Sequence, residues 1–366
     1  MVSYAIVSYH IRRDLHDPLR FFEVLRPIHF FYQAPYHDMS AKDLQDAHRY
    51  RNPADLLQKL NTVRPEIVQG GEPFVRRLIP YAWAVLAYSK RHRRPYVVPC
   101  LDNISVAAKY GTSWAIAVRA SVWPYVRGAS LDIAVNQGAE DNLRWAGAQP
   151  AHVARLMYGT WGVDTSEFTP DGPRAELPGS GQVIVFVGRL DRAKGVFDLL
   201  EAMPRVLERV KARLVMLGDG PDAGELKKVA QASGLLDHVQ FLGTVMNKDV
   251  PRYLRSSAVL VAPSRTTRKW AEQVGMSAIQ ALACGVPVVS TTSGSISEFI
   301  DEGVSGLLVP EGDPRALAAA LIRLLSDDNL RRQLSRQARI ESMRRFDART
   351  NVRAAEKRIL KAAGYV

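Results

Sequence analysis

Three short segments of the chain combine charged side chains with glycine in patterns that suit ligand chemistry. The first is VGRLDRAKG, in which Arg189 and Lys194 flank a turn between an expected strand and an expected helix. Two cations beside a helix N-terminus can bind a diphosphate. An ordinary exposed loop with surface cations explains the same pattern, so both interpretations stay open on this segment alone.

The second segment is LGDGPDAG, which places Gly218 and Gly220 directly after an expected strand. Gly-x-Gly in this position is typical of dinucleotide sites, but the last glycine comes one residue late for the full fingerprint. The segment also lies in the second strand-turn-helix unit of its domain, whereas the fingerprint usually opens the first. We therefore favour a tight turn that lets the backbone approach another ligand over a nicotinamide site.

The third segment is EQVGMSAIQALACG, in which Glu272 precedes Gly275 and Met276 at the expected start of a short helix. Amides at such a start can bind phosphate or sugar oxygens, and glycine lets the ligand come close. A carboxylate beside them can accept hydrogen bonds from sugar hydroxyls or balance positive charge on a sugar ring. A helix-capping role for Glu272 is the alternative.

Apolar strands alternate with helices along most of the chain. The expected strands are SYAIVSY, PIHFFY, EIVQ, PYVVPC, LDIAV and VARLMY in the first half, then QVIVFVG, ARLVMLG, HVQFLG, AVLVAPS, VPVVST and GLLVP. This alternation predicts an α/β fold with two Rossmann-like domains, each with a parallel sheet covered by helices. Loops at the carboxyl ends of the strands should carry the ligand site.

The three segments, with FLG, LVAPS and the run that continues to Asp313, follow in an order and spacing that resemble the family 4 retaining glycosyltransferases, of glycosyltransferase group 1 type. The resemblance covers about Trp161 to Leu325. It includes WGVD with Phe168, which is similar to an Asn-Gly-Val-Asp…Phe element of that family. It implies the GT-B fold, in which two Rossmann-like domains face each other across a cleft that holds a nucleotide sugar.

The resemblance also implies a role for each matched residue. Arg189 and Lys194 match the pair that holds the donor diphosphate and stabilises the leaving nucleotide, so neither a metal ion nor a cofactor is expected besides the nucleotide-sugar co-substrate. Glu272 matches the first acid of a Glu-x7-Glu motif, which contacts the donor sugar. The other expected donor-binding positions are Gly188, Gly218, Gly220, Gly275, Met276 and Gln280.

Gln280 departs from the family pattern, because position 280 matches the second acid of that motif, which usually binds ribose hydroxyls. The amide oxygen still accepts a hydrogen bond, although a neutral acceptor bonds less strongly than a carboxylate. We expect a loss of about 1 kcal/mol in donor binding. The substitution thus favours a tuned donor site over an inactive one.

The N-terminal half departs further, since the chain after its first expected strand lacks the glycine-rich loop that the family often carries. Asp102 and Asn103 follow PYVVPC, where the family commonly has a histidine beside the reacting centre. A plain turn is the alternative role for Asp102. The residues expected on the acceptor side are Gly70, Gly71, Glu72, Asp102 and Asn103.

Domain boundaries follow from the segment DTSEFTPDGPRAELPGSG, whose composition is typical of an interdomain linker. We expect an acceptor-side domain over residues 1–168, a linker over 169–181 and a donor-binding domain over 182–345. Residues 346–366 are expected to form a C-terminal helix that packs back on the N-terminal domain.

The implied function is retaining transfer of a hexosyl or N-acetylhexosaminyl group from a UDP- or GDP-sugar to a hydroxyl acceptor. A polysaccharide, glycolipid or lipid-linked precursor of the cell envelope is the expected acceptor. Retention in this family is ascribed to front-face attack, in which the departing phosphate takes the acceptor proton. A catalytically inactive nucleotide-binding or interaction subunit is the alternative, motivated by Gln280 and the altered N-terminal loops.

The net charge of +12 over 366 residues favours anionic partners. Zinc-finger spacing and RNA-recognition motifs are missing from the sequence, so we expect no nucleic acid. The densest basic cluster, 90–94, ends PFVRRLIPYAWAVLAYSK, where Tyr81, Trp83 and Tyr88 lie among aliphatic residues. Such a segment suits an anionic membrane surface. A solvated helix C-terminus is the alternative.

The compartment is predicted from the cysteines and from the apolar runs. Cys100 and Cys284 lie far apart in apolar contexts, which favours buried thiols in a reducing compartment. The sequence opens without a signal-peptide pattern, and its apolar runs are too short to span a bilayer. We expect a cytoplasmic protein that lies peripherally on the inner face of the membrane.

Overall fold

The computed structural model describes residues 1–35, 39–40, 42–157, 161–177 and 179–365, without the side chain of Asp14. Tyr158, in the last strand expected in the first half, and Pro178, in the expected linker, lie outside the described residues. The chain divides into two compact units. The first comprises Met1–Gly162 and Ala348–Val366, and the second comprises Val163–Asp347.

The first unit is built on one parallel sheet. Its strands, as far as the structure describes the chain, are β1 (Val2–Ser8), β2 (Leu25–Phe31), β3 (His48–Arg49), β4 (Ile67–Gln69), β5 (Tyr96–Cys100), β6 (Leu131–Ala134) and β7 (Val153–Arg155). They lie in the order β3-β2-β1-β4-β5-β6-β7. The six strands expected from the sequence are confirmed. The edge strand β3 was not predicted, because two residues show no periodicity.

Helices connect these strands. They are α1 (Arg13–His16), α2 (Pro53–Val63), α3 (Ile79–His92), α4 (Val106–Tyr110), α5 (Thr112–Arg127) and α6 (Gln137–Ala146). Helix α2 begins where the Asn52 side chain accepts a hydrogen bond from the Asp55 amide, with proline in the first turn. Helix α3 ends at Arg93 in the left-handed conformation, with φ of 52°.

The second unit repeats the pattern with strands β8 (Gln182–Val187), β9 (Ala212–Leu217), β10 (Val239–Gly243), β11 (Val259–Ala262), β12 (Val288–Thr291) and β13 (Gly306–Val309). All pairings are parallel, in the order β10-β9-β8-β11-β12-β13. Its helices are α7 (Val196–Leu207), α8 (Ala223–Ala232), α9 (Val250–Arg255), α10 (Met276–Ala283), α11 (Pro314–Ser326) and α12 (Asp328–Glu341). All six strands expected here are confirmed.

The chain ends in helix α13 (Ala348–Ala362), which belongs to the first unit. Its Val352 and Ile359 lie in one buried cluster with Tyr4 of β1 and Ile133 of β6. The buried Glu356 carboxylate accepts hydrogen bonds from the three backbone amides at residues 23–25, just before and at the start of β2. Apolar burial and this carboxylate both fix the helix on the sheet.

Residues 163–168, expected in the first domain, lie in the second unit. The Val163 amide donates to the Phe346 carbonyl at 2.8 Å. The buried Arg255 guanidinium donates to the carbonyls of Glu167, Thr169 and Pro173. Such hydrogen bonds from a charged donor satisfy carbonyls that irregular backbone would otherwise leave unpaired. They explain why much of the proline-rich segment belongs to the second unit.

No helix in the described part of the chain is long and apolar enough to cross a membrane. Both cysteines are buried free thiols, as expected.

Asp132, in β6, has a carboxyl group that is buried inside the first unit. It is fully buried, and neither of its oxygens has a hydrogen-bond partner among the described residues. Burial raises its pKa well above the ordinary value. An unpaired charge in such an environment is costly, so the folded protein holds this carboxyl in its protonated form.

We expect Asp132→Asn to remove a pH dependence of stability. Because the folded pKa is raised, the wild-type protein loses stability as the pH rises above the unfolded pKa of about 3.9, by about 1.4 kcal/mol per pH unit until the folded pKa is passed. Urea unfolding between pH 5 and 8 should therefore show an advantage of the variant that grows with pH. The exposed Asp237→Asn serves as control, and a constant difference across this range would contradict the unpaired state of Asp132.

Candidate functional site

Three glycines bring two loops together at the carboxyl edge of the second sheet. The Gly188 amide, directly after β8, donates to the Leu217 carbonyl at 2.9 Å. A Cβ atom on Gly218 would lie 1.9 Å from the Gly188 carbonyl oxygen, and one on Gly220 would lie 2.3 Å from the Leu190 oxygen. Only glycine permits backbones to approach this closely. The structure therefore brings together Gly188, Gly218 and Gly220.

The turn that carries Lys194 is a short 3-10 helix, Arg192–Lys194, capped by Asp191. The Asp191 carboxylate accepts a hydrogen bond from the Lys194 amide at 3.1 Å. Gly195 ends the turn in the left-handed conformation, with φ of 67°, and a Cβ atom there would lie 1.8 Å from the Pro263 carbonyl oxygen. Lys194 is thus held between a capping carboxylate and a glycine that packs against the chain after β11.

Lys194 and Glu272 form an ion pair. The Lys194 Nζ donates to the Glu272 Oε2 at 2.7 Å, and the Ser264 hydroxyl donates to the same oxygen at 2.8 Å. The two side chains are 25% and 13% exposed, so the pair is screened less than a surface pair. Two residues that are 78 positions apart in the sequence meet at the ends of different loops.

Arg189 differs from Lys194 in its surroundings. Its Nε lies 2.5 Å from the Asp191 carboxylate in an ion pair that lacks the alignment of a hydrogen bond, and its side chain is 68% exposed. Asp191 therefore contacts both sequence-predicted cations, one through the Lys194 amide and the other through the Arg189 guanidinium. Arg189 retains a solvated charge beside the more enclosed Lys194.

Gly275 and Met276 lie where the sequence predicts, at the start of α10. Gly275 has a φ of 74°, and a Cβ atom there would lie 2.6 Å from the Ile296 side chain. Its conformation turns the chain into the helix only three residues after Glu272. The first backbone amides of α10 and the Glu272 carboxylate therefore lie close together at this edge of the sheet.

Gln280 lies on α10 and is 7% exposed. Its Nε2 donates to the Asn247 Oδ1 at 3.0 Å. Asn247 was missed by the sequence analysis, because it begins a short 3-10 helix after β10, Asn247–Asp249, and matches none of the recognised motifs. The pairing fixes the orientation of the Gln280 amide.

Trp270 was also missed. The Lys194 Nζ lies 4.6 Å from the centre of its indole ring, within the range of a cation–π contact. A tryptophan between charged residues in a long loop carries no periodic pattern that would identify such a contact from sequence.

The expected acceptor-side residues lie in the first unit, after β4 and β5. Gly70 packs against Tyr125, because a Cβ atom would lie 1.7 Å from that hydroxyl, whereas a Cβ atom on Gly71 would meet nothing within 4 Å. The Asn103 carbonyl is approached by Gly138, at the start of α6, where a Cβ atom would lie 2.4 Å away. Glycine again sets the backbone spacing at a carboxyl edge.

Glu72 and Asp102 are neighbouring carboxyl groups at this edge. The Glu72 Oε2 accepts a hydrogen bond from the Leu101 amide at 2.7 Å. Burial, followed by the charge of Asp102, raises the pKa of Glu72 to about 7. Asp102 is 4% exposed and forms an ion pair with Lys109. The structure thus gathers the expected residues of this unit, with two carboxyl groups in different environments.

Across the described residues, no group of three or more His, Cys, Asp or Glu side chains is placed to hold a metal ion.

Two parallel sheets, each covered by helices and each with glycine-rich loops at its carboxyl edge, define a protein of two Rossmann-like domains with the GT-B fold. An Anabaena protein, HepE, solved in complex with UDP, superposes with a TM-score of 0.79 at 18% identity, over 99% of this chain and 100% of that chain. The sucrose-phosphate synthase from Thermosynechococcus elongatus gives a TM-score of 0.77 at 19% identity, over 100% of both chains. The fold expected from the sequence is confirmed.

Residues 171–341 match the family described as Glycosyl transferases group 1. A D-inositol 3-phosphate glycosyltransferase of Corynebacterium urealyticum is 36% identical over 198 residues, which cover 50% of this chain and 45% of that protein. A GDP-mannose-dependent alpha-(1-6)-phosphatidylinositol monomannoside mannosyltransferase of Mycobacterium tuberculosis is 36% identical over 183 residues, 48% of each. The chain spans about half the length of these relatives. The matched residues lie within the second unit, and the match confirms the resemblance to group 1 glycosyltransferases.

Gly195 offers a direct test of the geometry around Lys194, because Gly234 provides a matched control. The two glycines have φ values of 67° and 66°, but a Cβ atom on Gly234 would meet nothing within 4 Å. Gly234→Ala should cost about 1–2 kcal/mol for the left-handed backbone alone. We expect Gly195→Ala to cost clearly more in urea unfolding, because the Pro263 carbonyl must move. Equal costs would show that this close approach does not constrain the turn.

Proposed function

We propose that this protein transfers a sugar from a nucleotide diphosphate sugar to a hydroxyl acceptor, with retention of configuration. The observation that carries the proposal is the meeting of Lys194 and Glu272, 2.7 Å apart, beside the start of α10. A cation for the diphosphate and a carboxylate for the sugar are the two groups that such a donor requires at adjacent positions.

In the proposed reaction, the acceptor hydroxyl attacks the anomeric carbon from the side on which the diphosphate leaves. The bond between that carbon and the phosphate oxygen breaks, and the departing phosphate takes the hydroxyl proton. Arg189 and Lys194 stabilise the negative charge on the leaving nucleotide without a metal ion. Glu272 accepts hydrogen bonds from the sugar and stabilises positive charge on its ring. Gln280 binds the ribose through its amide oxygen.

The relatives narrow the choice of substrates. The mycobacterial relative is named for GDP-mannose and a phosphatidylinositol monomannoside, and the corynebacterial one for an inositol phosphate. A nucleotide-sugar donor and an acceptor that carries sugar, inositol or lipid are therefore the first to try. A hexosyl group is favoured over an N-acetylhexosaminyl group on the same basis.

A catalytically inactive nucleotide-binding subunit is the second candidate, and Gln280 is the observation that favours it. The Gln280 amide is ordered by Asn247 and remains a hydrogen-bonding group, which supports a tuned site instead. A panel of GDP-mannose, UDP-glucose and UDP-N-acetylglucosamine tests both. Release of nucleotide, by hydrolysis or by transfer to an added acceptor, supports the enzyme. Thermal stabilisation by a nucleotide without release supports the inactive subunit, and no response to any donor would refute both.

Replacement of the two cations should weaken donor binding to different extents. Arg189→Ala removes an exposed, charge-assisted contact worth about 1.5 kcal/mol, which is about a tenfold loss of affinity for the nucleoside diphosphate. Lys194→Ala should cost more, because the ammonium group would no longer offset the repulsion between the phosphates and the Glu272 carboxylate. Arg192→Ala is the matched control, since Arg192 is an exposed neighbour that pairs with Glu225. Calorimetric titration with nucleoside diphosphates measures all three, and equal affinities in wild type and both clamp variants would rule out the clamp.

Burial in the structure changes which residues can form the proposed membrane surface. Tyr88 is fully buried and Tyr81 packs against Tyr50, so neither is available as an anchor, whereas Trp83 is 45% exposed. In the adjacent α5, Trp114 is exposed and lies against Arg76, whereas the exposed Ile116 and Trp123 lie on another face of this helix. The stretch 73–128 contains nine Lys or Arg residues and a single acid, the buried Asp102. Exposed aromatics on a cationic surface suit an anionic lipid interface.

We therefore expect weak, salt-sensitive binding to anionic vesicles. Each cation near such a surface contributes about 1 kcal/mol, so replacing Lys90, Arg91, Arg93 and Arg94 with serine should abolish sedimentation with phosphatidylserine-containing liposomes at low salt. The double change Trp83→Ser and Trp114→Ser should reduce it. A control with the same loss of charge replaces four exposed cations of the second unit, Lys227, Lys228, Arg332 and Arg336. Equal sedimentation of both fourfold variants, or no sedimentation of the wild type, would exclude this surface.

A further inference from the structure

The Lys194 ammonium group lies between two different partners. One is the Glu272 carboxylate, at 2.7 Å, and the other is the face of the Trp270 indole, at 4.6 Å. The carboxylate neutralises the ammonium charge, whereas the indole attracts the cation and leaves its charge available to a second anion. The two contacts therefore have opposite consequences for an incoming diphosphate.

The indole is held in place by a compact turn. The Thr267 amide and hydroxyl donate to the Trp270 carbonyl, at 2.7 and 3.1 Å, and the Trp270 amide donates back to the Thr267 hydroxyl at 3.0 Å. The two residues that directly precede the turn anchor it to neighbouring parts of the second unit. Thr266 bonds the Glu311 carboxylate and Ser293, and Arg265 forms two bonds to the buried Asp198. These contacts fix the backbone of the turn that carries Trp270.

We propose that Trp270 is a positioning residue that holds Lys194 in the donor site while its ammonium exchanges one anionic partner, Glu272, for another, the donor diphosphate. The inference rests on the proposed function, because it assigns the diphosphate to Lys194. Without the donor, the Lys194 ammonium group and the Glu272 carboxylate bind each other. With the donor, the ammonium bonds phosphate oxygens and the carboxylate is released to the sugar hydroxyls.

The exchange is favourable because neither group is left unpaired. Ser264 continues to donate to the Glu272 Oε2 after Lys194 has changed partner, so the carboxylate keeps a hydrogen bond during the exchange. Trp270 keeps its contact with the ammonium in both states. Glu272 therefore competes with the nucleotide for Lys194 in the free protein but contacts the sugar in the complex.

The test is calorimetric titration of the full chain with UDP and with GDP, which carry the diphosphate without the sugar. The measured quantity is the affinity for whichever of the two nucleotides the wild type binds more tightly. We expect Trp270→Leu to lower this affinity by about five- to tenfold. Trp270→Phe retains an aromatic face and should lower it by less than threefold. Glu272→Gln should bind the same nucleotide severalfold more tightly than wild type, because the competing charge is gone, while its rate of sugar transfer falls.

A spectroscopic readout distinguishes positioning from a general effect on folding. Nucleotide binding should change the tryptophan fluorescence of the wild type, and this change should be lost in Trp270→Phe but kept in Trp83→Phe, whose indole lies exposed in the first unit. Melting temperatures of the variants control for stability, and the Phe variant supplies the result if the Leu variant does not fold.

The outcomes separate the two proposals. Unchanged affinity in both Trp270 variants, or weaker nucleotide binding by Glu272→Gln, would overturn the partner exchange and leave the glycosyltransferase proposal standing. Failure of the wild type to bind UDP, GDP or any nucleotide sugar would overturn both. Weaker binding by Trp270→Leu, tighter binding by Glu272→Gln and a fluorescence change specific to Trp270 together would establish the exchange.

Discussion

The Lys194–Glu272 ion pair is the contact on which the organisation of the second unit's carboxyl edge depends. It joins loops that follow two different strands, β8 and β11. Each loop is also held by contacts of its own. Asp191 and Gly195 fix the first, and Ser264 with Gly275 fixes the second. The pair itself adds modest stability, because a partly buried ion pair loses much of its attraction to desolvation. Its importance lies in geometry, since it sets where a cation and an acceptor of hydrogen bonds stand relative to the start of α10.

The glycines explain why this geometry is possible on a parallel sheet. Strands that lie about 4.8 Å apart bring their following loops into contact, and side chains at Gly188, Gly218 or Gly220 would collide with neighbouring backbone. At these three positions the edge of the sheet is therefore formed by main-chain atoms alone.

The sequence predicted the sheets well because buried parallel strands are continuous apolar runs between helices, as in QVIVFVG and ARLVMLG. It also predicted Arg189, Lys194 and Glu272 as site residues from motifs of charged residues and glycine, and the structure pairs Lys194 with Glu272. It missed Asn247 and Trp270, whose contacts with Gln280 and Lys194 depend on loop conformations that have no periodic pattern. The segment 163–168 was misplaced for a related reason. Its Pro-rich continuation resembles a linker, but the guanidinium of Arg255, which is distant in sequence, binds its carbonyls.

The carboxyl groups at the edges of the two sheets have different surroundings. In the second unit, the Glu272 carboxylate contacts the Lys194 ammonium group and the Ser264 hydroxyl. In the first unit, burial raises the pKa of Glu72 to about 7 while Asp102 is ion-paired with Lys109. Near neutral pH, Glu72 is therefore present in both its protonated and its ionised form. The protonated form can donate a hydrogen bond, whereas the ionised form can only accept one.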